Sequence, residues 1–203
     1  MEKGLFIVIS GPSGVGKGTV IDRLRVLLPN LKKSISVTTR EPREGEVDGK
    51  HYYFKTLQQY QQMIADGQFL ETAEVYTNFY GTPKDKLFEQ LNAGFDVVGE
   101  LDTFGARQVK RSYPDSVRIY VTPPTFKELR RRLTARGTED EESLKRRIDS
   151  ARRELDEYRT YNYIVSNDDA GLAAGRIAAI IAAEKCAVHR NKDVIKHIHD
   201  GEV

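Results

Sequence analysis

Leu5-Phe6-Ile7-Val8-Ile9, followed at 11–19 by Gly11-Pro12-Ser13-Gly14-Val15-Gly16-Lys17-Gly18-Thr19, is the stretch that decides the fold. An apolar run, a glycine-rich turn and a helical pattern with Val20, Leu24 and Leu27 on one face give the strand–loop–helix order of a phosphate-binding loop. Glycines let consecutive backbone N–H groups curl around an anion at little steric cost. The start of the following helix adds unpaired N–H groups and a positive dipole end. Lys17 supplies a mobile charge for β and γ phosphates. Together these features predict a nucleoside triphosphate site. One departure stands out: Gly18 occupies the position after the lysine where Ser or Thr is usual, and Thr19 comes one place later. A direct hydroxyl ligand for Mg²⁺ is therefore not guaranteed, and the expectation is an ion held mainly by phosphates and water, with Thr19 or Asp102 as candidate protein ligands.

Working outward, further strand-like runs fall at Asp96–Leu101, Val117–Thr122 and Tyr163–Val165, separated by helical pattern. That alternation predicts an α/β fold with a parallel sheet and helices on both faces. Thr56 with Gln59, Thr125 with Glu128 and Thr138 with Glu141 have capping-box spacing. Leu144, Ile148, Ala151, Leu155 and Tyr158 read as the apolar stripe of one long helix. The chain has 203 residues, enough for a full core, and a net charge of only +2, which gives no global basic field for nucleic acid. The lone cysteine, Cys186, rules out a disulfide framework and fits a reducing cytoplasm. No apolar run reaches the length of a membrane span, and the run after Gly4 is too short for a signal segment. A soluble cytoplasmic protein with no membrane or nucleic-acid partner is expected.

Two segments interrupt the alternation. Residues 34–84 carry short strand-like pieces, Tyr52-Tyr53-Phe54 and Phe69–Glu71, around one small helix, and their richness in Tyr, Arg and Gly suits a binding unit. Residues 127–153 hold ten lysines and arginines against six acids, a pattern usually found on a solvated helix face. Within the first segment, Arg40 and Arg43, three apart, precede a Gly-rich turn and tyrosines. Such a set can converge fork donors and phenol hydroxyls on one phosphate. Glu71 and then Tyr80-Gly81-Thr82 add a carboxylate, a phenol and a hydroxyl.

These residues carry a resemblance. GPSGVGKGT at 11–19, SVTTREPREGEVDGKHYYF at 36–54, FLETAEVYTNFYGTP at 69–83, GELDTFGA at 99–106, RLTARGTEDEESLKRRI at 132–148 and VSNDD at 165–169 resemble, in order, the motifs of the guanylate kinase family of P-loop nucleoside monophosphate kinases. The resemblance covers nearly the whole chain up to about Lys185. It implies a three-layer P-loop fold with a parallel-sheet core (1–33, 85–126 and 154–185), an inserted GMP-binding subdomain (34–84), a short arginine-rich lid (127–153) and a C-terminal extension (186–203). It implies transfer of the γ-phosphoryl group of ATP to GMP, with Mg²⁺ and with ATP and GMP as the small-molecule partners.

By position, the resemblance implies that residues 11–19, with Arg132, Arg136 and Asn167, bind ATP. Asn167 and Asp168 would approach the adenine. Arg40, Arg43, Tyr52 and Tyr80 would hold the GMP phosphate, and Ser36, Glu71 and Thr82 the guanine, with Glu100, Asp102 and Arg147 nearby. Lys17, Arg40, Arg132, Arg136 and Arg147 would act in transfer, with no general base. The base assignment is chemically coherent. Guanine offers N1–H and an N2 amine side by side to one carboxylate, whereas adenine would leave that carboxylate unpaired. Taken singly, Glu71 also reads as a solvated strand residue, Asp102 as a helix N-cap before Gly105, Tyr52 and Tyr80 as packing residues, and Arg40 and Arg43 as surface charges. Thr103 and Phe104 depart from the family pattern of a larger apolar residue and Gln.

Two other readings stay open from sequence: a catalytically inactive interaction module, and a kinase for another acceptor such as a ribose bisphosphate. Beyond the resemblance, Val194, Ile195 and Ile198 form a modest stripe suited to packing or to contact in a homo-oligomer. His197 and His199, two apart, point to different faces and make a poor metal pair.

Overall fold

The structure, a computed structural model, describes residues 3–75, 77–135, 141–192, 194–195 and 200–201, with backbone alone over 141–144. In chain order its elements are β1 (Phe6–Ser10), α1 (Lys17–Leu27), β2 (Lys32–Lys33), β3 (Val37–Thr38), β4 (Tyr53–Phe54), α2 (Leu57–Ala65), β5 (Phe69–Val75), β6 (Asn78–Pro83), α3 (Lys84–Asn92), β7 (Val97–Glu100), α4 (Thr103–Ser112), β8 (Val117–Thr122), α5 (Phe126–Thr134), α6 (Glu141–Glu154), β9 (Tyr163–Ser166) and α7 (Ala170–Lys185). The main sheet runs β2-β7-β1-β8-β9, all pairs parallel. Every residue of β1 is buried, as expected for a central strand covered on both faces.

The two faces follow from alternation along β1. Ile7 and Ile9 pack with Val20, Ile21 and Leu24 of α1 and with Ala173, Ala174 and Ile177 of α7. Phe6 and Val8 point the other way, onto Leu87 and Leu91 of α3 and Ala106 and Val109 of α4. The result is helix, sheet, helix. Because β1 lies between β7 and β8, its C-terminal end opens into the crevice where parallel sheets bind ligands.

The segment that breaks the alternation builds a second sheet of order β4-β3-β6-β5, with only β3–β4 parallel. Its own small core joins Val37, Tyr60 and Phe69. Helix α2 opens with the reciprocal capping box expected from Thr56 and Gln59. Thr125 also caps its helix, accepting from the Glu128 N–H, but the Glu128 carboxylate turns to Arg131 and Arg132 instead of returning to the cap. Thr138 lies outside the described residues.

Three sequence expectations need correction. The buried face of α1 is Val20, Ile21 and Leu24, continuing to Leu28, which folds in at the helix end, while Leu27 is exposed. The helix through Tyr158 stops at Glu154 and becomes a 3₁₀ turn over Leu155–Thr160. At that junction the Glu154 carbonyl accepts the Tyr120 hydroxyl at 2.6 Å, a competing donor that marks the break. Residues 34–84 contain four strands rather than two strand-like pieces. Strand β3, of two residues, is too short to show a period. In the tail, Val194 and Ile195 are exposed, while His197, Ile198 and His199 lie outside the described residues. No helix among the described residues is long and apolar enough to cross a membrane.

Candidate functional site

The loop from Gly11 to Gly16 crosses from β1 to α1, and Lys17 is the first helical residue. The N-cap, Gly16, has φ +91°, a conformation that L side chains rarely adopt, and a Cβ there would stand 2.8 Å from Asn167 Nδ2. Lys17 Nζ folds back over the loop and donates to the carbonyls of Gly11 (2.7 Å) and Pro12 (3.2 Å). The loop is braced from two directions. Asn167, 4 % exposed, donates from Nδ2 to the Val15 carbonyl at 2.7 Å. Arg132 reaches the same carbonyl from Nη1 (3.2 Å) and the Asn167 carbonyl from Nη2 (3.0 Å), while its Nε is held by Glu128. Contacts to Arg131 and then Arg132 hold the Glu128 carboxyl down to about 2.

Helix α6 approaches the loop at Ser13. Arg147 Nη2 donates to the Ser13 hydroxyl at 3.2 Å, and the Ser13 N–H donates to Glu154 Oε2 at 3.2 Å. Arg136 lies outside the described residues. Gly14, Gly16, Thr19, Arg131, Arg132 and Asn167, with Asp168 and Asp169, line a cleft of about 430 Å³ beside the loop. The Asn167 amide thus donates to Val15 at the edge of this cleft and shapes the loop. Replacing Asn167 by alanine is expected to lower the unfolding free energy by about 0.5–1.5 kcal/mol, because the Val15 carbonyl loses its shorter bond and keeps only Arg132 as a side-chain donor. Urea unfolding checks this, and an unchanged midpoint would mean that the loop is held elsewhere.

Across β7 lies the second half of the site. Glu71 is 5 % exposed and Thr82 is 1 % exposed, and the Thr82 hydroxyl donates to Glu71 Oε1 at 2.7 Å. The alternative reading of Glu71 as a solvated strand residue is therefore overturned. A bulge aims this side chain. β5 and β6 pair at Phe69–Pro83 and again at Thr72–Gly81, so β5 carries one extra residue over that interval. Helix α4 pins the bulge on both sides. Ser112 Oγ donates to the Leu70 carbonyl (2.9 Å), and Gln108 exchanges two bonds with the Thr72 backbone (2.6 and 3.1 Å).

The Glu71 carboxylate then meets the first turn of α4, where Gly105 has no side chain. A Cβ at that position would lie 2.9 Å from Oε2. Burial raises the Glu71 carboxyl to about 7, Thr82 opposes the shift, and the charge of Asp102 adds to it. Asp102 is the N-cap of α4, with Oδ1 accepting the Gly105 N–H at 2.7 Å, as its N-cap reading requires. Thr103 is buried and Phe104 exposed in that same first turn.

The arginine–tyrosine group sits on the small sheet. The Arg40 guanidinium stands 5.5 Å over the Tyr52 ring, and the Tyr52 and Tyr80 rings meet edge-on at 5.9 Å. Arg43, though close in sequence, is exposed. Ser36 is half-buried and contributes its carbonyl to the Tyr53 N–H at the start of β4. Glu100, the last residue of β7, stands opposite Ile9 of β1 and faces Gly18: its carboxylate oxygens lie 3.7 and 3.8 Å from where a side chain at Gly18 would begin. Sequence reasoning missed four residues, Gly105, Gln108, Glu154 and Glu46. Only Glu46 had a local signal, a carboxylate six positions after Arg40 across a Gly turn.

Comparison with known proteins gives one consistent result. The family model described as guanylate kinase matches residues 3–184. The chain is 50 % identical over 202 residues to the guanylate kinase of Caldanaerobacter subterraneus subsp. tengcongensis, covering 100 % of this chain and 98 % of that protein. It is 51 % identical over 195 residues to the guanylate kinase of Clostridium tetani, covering 96 % and 93 %. Among solved structures, the crystal structure of guanylate kinase from Anaplasma phagocytophilum superposes with a TM-score of 0.75 at 32 % identity, covering 94 % of this chain and 90 % of that one.

Proposed function

The chain belongs to the guanylate kinase family, and from that premise we propose that it transfers the γ-phosphoryl group of ATP to GMP, giving ADP and GDP. The observation that supports this reading best is the Glu71 carboxylate, buried at the first turn of α4, one strand away from a complete phosphate loop. A buried carboxylate whose Oε1 already accepts Thr82 is matched by a base edge with two adjacent donors. Guanine has that edge and adenine lacks it. In this reading Ser36 and Thr82 complete the base pocket with Glu71, and Asp102 acts from the capped end of α4. Residues 34–84 form the acceptor-binding unit, 127–153 the lid over ATP, and 186–203 an extension outside the chemistry.

Phosphoryl transfer asks for in-line placement and positive charge around the moving group, with little covalent help. Lys17 would leave the Gly11 and Pro12 carbonyls for the β and γ phosphates. Residues 11–19 would wrap the triphosphate with backbone N–H groups. Arg147 is already at Ser13, so a small shift of α6 brings it onto the transferring phosphoryl. Arg136, by position in the family motif, would join it. Arg132 would act chiefly through the loop it braces. Asn167 would likewise serve ATP through the loop, with Asp168 at the edge of the adenine cleft. Arg40, Arg43, Tyr52 and Tyr80 would bind the GMP phosphate, and Arg40 would also steady its attacking oxygen.

The residues present fit a hydrated magnesium ion. Glu100 offers a carboxylate facing Gly18, and no three His, Cys, Asp or Glu side chains converge among the described residues, so the ion would keep phosphate and water ligands. Glu100 would orient those waters, with Thr19 at hand and Asp102 less available because Oδ1 is engaged in the cap. Mg²⁺ would supply charge neutralisation to the phosphates when bound with ATP.

Phosphorus NMR of ATP and GMP mixed with the protein tests the reaction. The expected result is growth of both ADP and GDP signals with Mg²⁺ present and none with EDTA. Conversion of ATP to ADP and inorganic phosphate without GDP would overturn the proposal.

A further inference from the structure

Among the described residues Glu46 contacts both Arg40 and Arg43, yet it belongs to none of the motif roles above. Both of its carboxylate oxygens accept from Arg40 Nη2, at 2.8 and 2.9 Å. Oε2 also accepts the Arg43 N–H at 2.8 Å, and the Glu46 N–H donates back to the Arg43 carbonyl at 3.0 Å. The two side chains of the ion pair are only 15 % and 19 % exposed. Arg40 Nη1 meanwhile donates to the Glu41 carbonyl at 2.8 Å. The contact with Glu46, reinforced by Tyr80, raises the Arg40 guanidinium above its ordinary value, and the same contact lowers the Glu46 carboxyl.

We propose that Glu46 is a positioning residue for the acceptor phosphate, holding the Arg40 guanidinium over Tyr52, and fixing the backbone at Arg43, before the phosphate arrives. This inference rests on the GMP-kinase reading. A long arginine side chain loses about 2 kcal/mol of rotamer freedom when it is ordered. Glu46 takes up that ordering in the free protein, so binding does not. The geometry distinguishes a brace from a mobile counterion. Oε2 is anchored by a main-chain N–H, which holds the carboxylate in place independently of the Arg40 side chain. It also engages a single terminal nitrogen, Nη2, which is compatible with a phosphate approaching from the side of Tyr52 and Tyr80.

The test compares Glu46→Gln and Glu46→Ala with the unmodified protein, using calorimetric titration with GMP and with guanosine, alongside steady-state kinetics. GMP turnover by the unmodified protein is established first, and its absence would count against the GMP-kinase reading, not against Glu46 alone. The expected result for Glu46→Ala is about tenfold weaker GMP binding with guanosine binding and the KM for ATP unchanged. Glu46→Gln keeps an acceptor for the Arg43 N–H and should fall between the two. A melting temperature close to that of the unmodified protein confirms that each variant is folded. Unchanged GMP affinity, tighter GMP binding, or equal weakening of GMP and guanosine would each overturn the proposal.

Discussion

Replacing Lys17 by alanine is expected to lower kcat for phosphoryl transfer by about 10³-fold or more, with a much smaller change in the affinity for ATP. The backbone N–H groups of residues 11–19 and the start of α1 remain to bind the triphosphate. The variant loses the charge that follows the γ-phosphoryl as it moves, an interaction stronger in the transition state than in the ground state. In the free protein Lys17 Nζ rests on the carbonyls of Gly11 and Pro12 at the loop. Water can replace it there, so the variant should fold. Lys17→Arg should rescue little, since a planar fork does not fit where a compact ammonium sits against two carbonyls. Steady-state ADP formation with a parallel ATP titration checks this, and a loss in kcat below tenfold would remove Lys17 from the chemistry.

Glu71→Gln should reduce kcat/KM for GMP by about 10²–10⁴-fold while making the free protein more stable. The loss follows from hydrogen-bond chemistry, because a carboxylate accepts both guanine donors and an amide presents one acceptor and one clashing donor. The gain follows from the environment. Burial lifts the Glu71 carboxyl from about 4.5 to about 7, so the folded state binds a proton more readily than the unfolded chain does. Stability from this group is fully present below about 4.5 and is lost as pH rises through about 7. At pH 8 the ionised form is therefore a burden that glutamine removes, and a rise of about 1–3 kcal/mol in unfolding free energy is expected.

The same value sets the pH profile. In the proposed site GMP binds the ionised carboxylate, so kcat/KM is expected to fall as pH drops below about 7, above the second ionisation of a phosphate near 6. That upper step should vanish in Glu71→Gln. Urea unfolding at pH 8 and kinetics over pH 5.5–8.5 decide the matter. An unstabilised variant that still uses GMP well would refute both halves.

How much of this was legible in sequence depends on how local each determinant is. The phosphate loop could be read in full because its strand, glycines, lysine and helix follow one another within fifteen residues, and β1, α1 and Lys17 appear where that order puts them. The parallel core was equally readable from the alternation of Val97–Glu100, Val117–Thr122 and Tyr163–Ser166 with helices. The small sheet was only half visible. Its β3 has two residues, and its β6 runs through Gly81 and Pro83, which disguise a strand.

What aims Glu71 could not be read at all. The bulge in β5 is defined by its partner β6, and its anchors Gln108 and Ser112 lie 36 and 42 positions away from the residues they hold. Asn167 holds Val15 from 152 positions away, a contact with the loop that no local pattern announces. The break of the long helix at Glu154 depends on Tyr120, 34 positions earlier. Local chemistry announces itself in a sequence. Contacts between distant segments appear only once the chain is folded.

The most direct measurement is the ratio of kcat/KM for GMP to that for AMP at pH 8, from ADP formation with each acceptor at saturating Mg-ATP. A site built on the Glu71 carboxylate and Thr82 predicts a preference for GMP of at least about 10³-fold. Comparable use of AMP, or faster turnover with it, would contradict the assignment of Glu71 as the group that reads the base, and with it the account of what this site selects.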